Sequence, residues 1–213
     1  MWRKYLPPLG IEPELFAAQT EKLRALLVER NKLCNLTRLT EPEDFYFKHV
    51  VDSLVLADFF PEVRQKKFVI ADFGCGAGFP SLVLALAYPQ LELYPIDSTG
   101  KKVDFVRDAA AELGLTNIYP VWGRGRELSR KAEFRGKFDI LTARAVSTAD
   151  KIAAETAPML KNSGRFLLYK TPIQRDEELP ALALNRKFHW EATPVRVYPH
   201  GERLFFIGTR CQD

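Results

Sequence analysis

The chain has 213 residues, 46% hydrophobic and 27% charged, with a formal net charge of +4. Those values describe a folded globular protein and exclude a disordered polyelectrolyte, and no stretch approaches the ~18 apolar residues a membrane span needs. Cys34, Cys75 and Cys211 have no paired spacing, which argues against a disulfide framework or a zinc site and for a reducing, cytoplasmic setting. Pro7 and Pro8 interrupt the N-terminal stretch, so a signal-peptide core is not expected.

In chain order, Leu15, Phe16, Leu23, Leu26 and Leu27 recur at helical spacing and predict a helix over Glu12 to Arg30. A second helix is predicted over Asp44 to Phe60, stopped by Pro61. These two form a helical extension over 1–65. Strand and helix patterns then alternate over 66–213: strands at Phe68 to Phe73, Leu91 to Asp97, Ile118 to Val121, Phe138 to Ala143 and Arg165 to Lys170. Helices fall between them at Ser81 to Tyr88, Lys101 to Leu113 and Thr148 to Leu160. Such alternation predicts a mostly parallel sheet with helices on both faces. Gly164 reads as a break before the fifth strand, and "FHWEATPVRVY" with "ERLFFIGT" reads as an antiparallel hairpin at the sheet edge. Pro95, inside a presumed inner strand, fits sheet pairing poorly. The extension and the core are expected to pack as one unit, and nothing in the sequence demands more than a monomer.

The segment "VIADFGCGAGFP" places Gly74, Gly76 and Gly78 between the first strand and its helix, where backbone can approach a ligand. A dinucleotide fingerprint would need glycine at 79, where Phe79 stands, so NAD is disfavoured. Asp-x-Gly-x-Gly-x-Gly, followed by Asp97 at the end of the next strand, resembles the S-adenosylmethionine loop of Rossmann-like class I methyltransferases. The resemblance implies Asp72 near the methionine end of that cofactor and Asp97 on its ribose. It also implies a seven-stranded sheet with an antiparallel C-terminal hairpin. Phe79 is the aromatic residue best placed to stack on base or cofactor, with core packing as the alternative.

"NLTRL" (35–39), "KHVVDSL" (48–54), "DFGCGAGFPSLVLA" (72–85), "IDSTGKK" (96–102), "FDILTARAV" (138–146) and "GER" (201–203) together resemble the RsmG (GidB) family, in order over nearly the whole chain. That resemblance implies methyl transfer from S-adenosylmethionine to N7 of a guanine in 16S ribosomal RNA. It places Gly74, Gly76, Gly78, Ser98, Gly125, Arg126 and Arg144 on the cofactor with Asp72, Phe79 and Asp97. Arg144 and Lys170 are assigned to the guanine or its phosphate, Arg124 and Arg203 to the RNA backbone, and His49 to the cofactor entrance with Asp52 and Ser53. No metal is implied. The chain departs from the family at Val146, where phenylalanine is usual, at Thr171, and at Gly125–Arg126.

Guanine N7 carries a free lone pair at neutral pH, so the transfer needs positioning rather than a general base. "TARAV" is not the Asn/Asp-Pro-Pro-aromatic signature of amino-group methylation, and no cysteine nucleophile motif is present; Cys75 reads as a packing residue. The basic run Arg124 to Lys137 is either a solvated loop or a nucleic-acid contact. Asn35 and Thr37 either hold a loop or reach the site, and His189 and His200 have no spacing partner and read as without chemistry. A same-fold methyltransferase acting on protein or metabolite, and a non-catalytic RNA- or ribosome-binding module, stand as the rival readings.

Overall fold

The computed structural model describes residues 2–211. The extension holds α1 (Pro13–Cys34), α2 (Pro42–Asp44), a π-helical segment Phe45–Val51, and α3 (Asp52–Phe59). Beyond it run β1 (Val69–Phe73), α4 (Ser81–Ala87), β2 (Glu92–Asp97), α5 (Gly100–Glu112), β3 (Val121–Trp122) and α6 (Gly125–Leu128). The remainder is β4 (Phe138–Arg144), α7 (Ala149–Thr156), β5 (Leu160–Lys170), α8 (Pro172–Leu182), β6 (Phe188–Ala192), β7 (Arg196–Tyr198) and β8 (Gly201–Arg210).

The strands follow the order β3-β2-β1-β4-β5-β8-β6, with the short β7 paired to β8 off that path. Pairings among β1 to β5 are parallel, and those of β8 with β5, β6 and β7 are antiparallel. The chain winds outward from β1 through β2 to β3, then returns to place β4 on the other side of β1. The carboxyl ends of β1 and β4 therefore flank the switch point where ligands collect in open α/β sheets.

Alternate residues of the inner strands enter separate cores. Ile70, Ile140, Leu167 and Phe205 face the core shared with Phe16, Leu23 and Leu27 of α1, and with α3, α4 and α5. Ala71, Leu141, Phe166, Leu168 and Phe206 face the core shared with α7 and α8. Burial on both faces explains why these strands read as continuous apolar runs. Each fully buried leucine or phenylalanine contributes about 1.5–3 kcal/mol.

Three local expectations are corrected. Gly164 does not break the chain: it lies inside β5, which starts at Leu160, at a register shift opposite Phe138–Ile140. A Cβ on Gly164 would stand 2.7 Å from the Phe138 carbonyl oxygen, so glycine lets the two backbones approach. Pro95 pairs with Asp72 in β2. It shares the side of Leu93 and Asp97, whose backbone groups bond Asn117, Tyr119 and Gly123 toward β3. Its missing N–H thus faces the gap in that ladder between the bridge at Ile118 and the pairs at Val121–Trp122. Helix α8 had no counterpart in the predicted elements; a capping box in which Thr171 and Gln174 satisfy each other's backbone N–H starts it.

Candidate active site

The loop after β1 is built by its glycines and two carboxylates. Gly74 and Gly76 adopt φ of +72° and +58°, where L side chains are strained. Gly76 N–H donates to Asp97 Oδ2 at 3.0 Å, and Thr99 N–H donates to Asp97 Oδ1 at 2.8 Å, so the end of β2 is tied to the loop. Asp72 Oδ2 accepts from the Ser81 hydroxyl at 2.7 Å and the Ser81 N–H at 3.3 Å, anchoring the start of α4. Its other oxygen is buried and has no partner among the described residues. Burial raises the Asp72 carboxyl to about 6, against the Ser81 hydrogen bonds and the charge of Arg144.

Two cavities, about 680 and 530 Å³, meet here and share Gly74, Lys102 and Ala145. Asp97, Ser98, Gly123, Arg124, Gly125, Val146 and Glu155 line the smaller. Gly125 is required by packing, since a Cβ there would stand 2.7 Å from the Phe73 ring. Val146 lies so close to Gly74 that a Cβ on Gly74 would meet its methyl at 2.5 Å. Trp122, 69% exposed, donates its indole N–H to the Ser98 carbonyl at 3.0 Å.

The larger cavity is organised by Asp52, which is 3% exposed. Asp52 Oδ2 accepts from Arg144 Nη1 at 2.8 Å, and Oδ1 accepts from Arg203 Nε at 2.6 Å and His200 Nε2 at 2.9 Å. Burial opposes ionisation of this carboxyl, but the His200 hydrogen bond and the charges of Arg144 and Arg203 outweigh it and hold the group well below the usual range.

The π-helical register supplies a further anchor. The Asp52 N–H bonds the carbonyls of Phe47 and His49 and skips that of Lys48, which accepts from Arg144 Nη1 at 2.8 Å. His49 stacks on Phe79, with centroids 4.1 Å apart and planes 8° apart. Its Nδ1 lies 3.3 Å from Arg144 Nη2 and its Nε2 lies 3.4 Å from Thr37 Oγ1. Burial, then the Arg144 charge, pushes His49 down to about 3, against the pull of Asp52 and Asp44. The ring is neutral at physiological pH.

Of the residues singled out in the sequence, the larger cavity gathers His49, Gly74, Gly76, Phe79, Arg144, Lys170 and Arg203, and the smaller gathers Gly74, Asp97, Ser98, Arg124 and Gly125. Five placements differ from expectation. Gly78 and the buried Asp72 line neither cavity; Asp72 lies beneath the loop against Ser81, and Gly78 serves the turn, where a Cβ would overlap Leu82 and Val106. The exposed Arg126 lies apart, in a shallow pocket with Ser129, Arg130 and Arg135. Lys170 is buried and bound to Glu178 at 2.6 Å and to the Ser147 carbonyl at 3.3 Å, so it braces the loop after β4. His200, expected to do no chemistry, is a direct partner of Asp52. Lys102, in both cavities and 3.9 Å from Asp97, is a site residue that sequence reasoning missed; its signals were its place in the first turn of the helix after Gly100 and at the end of "IDSTGKK".

The residues fit S-adenosylmethionine. The glycine turn admits close approach, Asp97 stands at the strand end beside the smaller cavity, and the orphaned Asp72 oxygen is an acceptor suited to an ammonium group. Fold and sheet order are those of the Rossmann-like class I methyltransferases. Solved structures share the architecture: a SAM-dependent methyltransferase from Aquifex aeolicus has a TM-score of 0.60 at 14% identity, covering 82% of this chain and 96% of the other. An rRNA methylase from Streptococcus thermophilus has a TM-score of 0.52 at 16% identity, covering 75% and 96%.

Residues 17–199 match the GidB family, described as rRNA small subunit methyltransferase G, and the chain belongs to that family. The ribosomal RNA small subunit methyltransferase G of Deinococcus radiodurans is 41% identical over 175 residues, which is 82% of this chain and 68% of that protein. The same-named protein of Limosilactobacillus fermentum is 39% identical over 171 residues, 79% of this chain and 70% of its own length. No described helix is long and apolar enough to cross a membrane.

Proposed function

We propose that the chain transfers a methyl group from S-adenosylmethionine to N7 of a guanine in the 16S RNA of the small ribosomal subunit. The observation that carries this is the junction of two cavities at Gly74 and Ala145, one ending on Asp97 and the other ringed by Arg144 and Arg203. In this reading Asp97, Ser98 and the Gly123–Gly125 backbone hold the nucleoside end of the cofactor, and Asp72 serves its amino group. When bound, the cofactor supplies an electrophilic methyl group on a sulfonium.

The chain's own residues position and do not abstract. Asp52 has both oxygens taken by Arg144, Arg203 and His200, and His49 is committed through both ring nitrogens, so neither is a free base. An N7 acceptor suits such a site because its lone pair needs no deprotonation, and alignment alone can supply up to ~7–11 kcal/mol of a barrier. The N–H groups of Arg144 and Arg203 left over by Asp52, Lys48, His49 and Glu202 take an RNA phosphate, for which the planar guanidinium is well shaped. Arg124, exposed at the rim of the smaller cavity, touches the backbone farther along, and Lys170 acts through the loop that it braces.

The test is transfer of labelled methyl from S-adenosylmethionine to small subunits that lack this modification, with the product identified by mass spectrometry. Label in 7-methylguanosine of 16S RNA is expected. Cofactor binding without label in RNA, or label in protein, overturns the reading.

A further inference from the structure

Thr37 sits in the loop between α1 and α2 and lines the larger cavity together with His49, Phe79 and Arg144. Its hydroxyl oxygen accepts the Leu39 N–H at 3.1 Å and lies 3.4 Å from His49 Nε2. The direction of that second bond follows from the other side of the ring. Arg144 has only donors to offer, and its Nη2 stands 3.3 Å from His49 Nδ1, so Nδ1 is the acceptor. A neutral imidazole with Nδ1 unprotonated carries its hydrogen on Nε2, which then donates to Thr37. Both lone pairs of the hydroxyl are thereby filled. Its one remaining capacity is to donate, and no described residue accepts that hydrogen.

A hydroxyl is ordinarily indifferent to whether its partner donates or accepts; this one is not. On the edge of guanine that carries N7 the neighbouring group is O6, an acceptor, whereas adenine presents an amino donor there. We infer that Thr37 is a specificity-determining residue whose hydroxyl, fixed as a donor by Leu39 and His49, binds O6 of the target guanine and turns away adenine. This rests on the guanine-N7 reading above. His49 is then a positioning residue: stacked on Phe79 and gripped by Arg144, it sets the polarity of the Thr37 hydroxyl.

The test uses the intact chain with small subunits whose 16S RNA carries, at the methylated position, either guanosine or 2-aminopurine riboside, which keeps N7 and lacks O6. Products are identified by mass spectrometry. Thr37→Val is expected to lower kcat/KM on guanine subunits roughly 10-fold, as for a lost buried hydrogen bond, with the affinity for S-adenosylmethionine unchanged. Wild type loses a similar factor on 2-aminopurine, and the variant loses nothing further there, because the partner atom is already gone. Thr37→Ser restores the guanine rate. Should valine disturb the loop, Thr37→Ala completes the same cycle. Losses that multiply, with the variant and the analogue each costing a full factor together, overturn the proposal, as does wild-type activity in Thr37→Val. If wild type places no methyl group on N7 of a 16S guanine, the underlying reading fails and this inference falls with it.

Discussion

Replacing His49 with glutamine, which hydrogen-bonds but does not titrate, changes how stability responds to acid. The ordinary histidine value is 6.5 and the folded ring sits at about 3. As pH falls below 6.5 the unfolded chain gains a proton that the folded chain refuses, so the contribution of His49 is full above 6.5 and is lost as pH drops toward 3. Each pH unit is worth about 1.36 kcal/mol, so pH 5 costs wild type about 2 kcal/mol at this site. Asp72 acts in the opposite sense: its folded value of about 6 lies above its ordinary 3.8, so the folded chain takes that proton first and gains stability between those values. The two slopes nearly cancel in wild type and only the Asp72 slope survives in His49→Gln. Urea unfolding at pH 7.5 and pH 5 should therefore show the variant gaining about 2 kcal/mol on wild type as the medium is acidified. A difference between the two proteins that is the same at both pH values refutes the reasoning.

Asp52→Asn leaves Arg144 and Arg203, each about one-fifth exposed, facing an amide instead of a carboxylate. Removing one partner of a buried pair costs about 3–5 kcal/mol, and at about 2–4 °C per kcal/mol for a chain of this size the Tm should fall by roughly 6–20 °C. Calorimetry checks the fall, and RNA methylation should be lost while S-adenosylmethionine still binds. Gly125→Ala drives a methyl into the Phe73 ring and should cost about 1–3 kcal/mol, measured by denaturant unfolding. Phe73→Leu in the same chain should recover most of it, because the nearest clash is with the ring, at 2.7 Å, and the Thr156 methyl, at 3.0 Å, is less tight.

The sheet and the cofactor loop were legible because their signals are local. Alternating apolar runs marked five parallel strands, and a glycine turn between Asp72 and Asp97 needs only the geometry of one β-loop-α-β unit. Element ends were less legible where tertiary contacts decide them. The start of β5 at Leu160 depends on Gly164 meeting the Phe138 carbonyl, a contact between strands that no window of sequence displays. The reason for glycine at 125, where the chain departs from the family, was not legible either, because Phe73, 52 positions earlier, occupies the space that a side chain would need.

The larger cavity was legible as residue types and not as an arrangement. Arginine at 144 and 203 and histidine at 49 were visible, but His200 was set aside because its partner lies 148 positions away, on the first turn of α3. Nor does helical periodicity announce that Phe45–Val51 is π-helical. That register leaves the Lys48 carbonyl to Arg144 and turns His49 onto Phe79. The same guanidinium then holds Asp52, Lys48 and His49 at once, so the tautomer of His49, and with His200 and Arg203 the charge of Asp52, follow from a side chain at the end of β4. An arginine read from sequence as a contact to RNA is, in the fold, also the residue that assembles the pocket in which RNA would be met. The substitution Arg144→Lys would keep the charge and lose the fork, and with it the simultaneous hold on three partners.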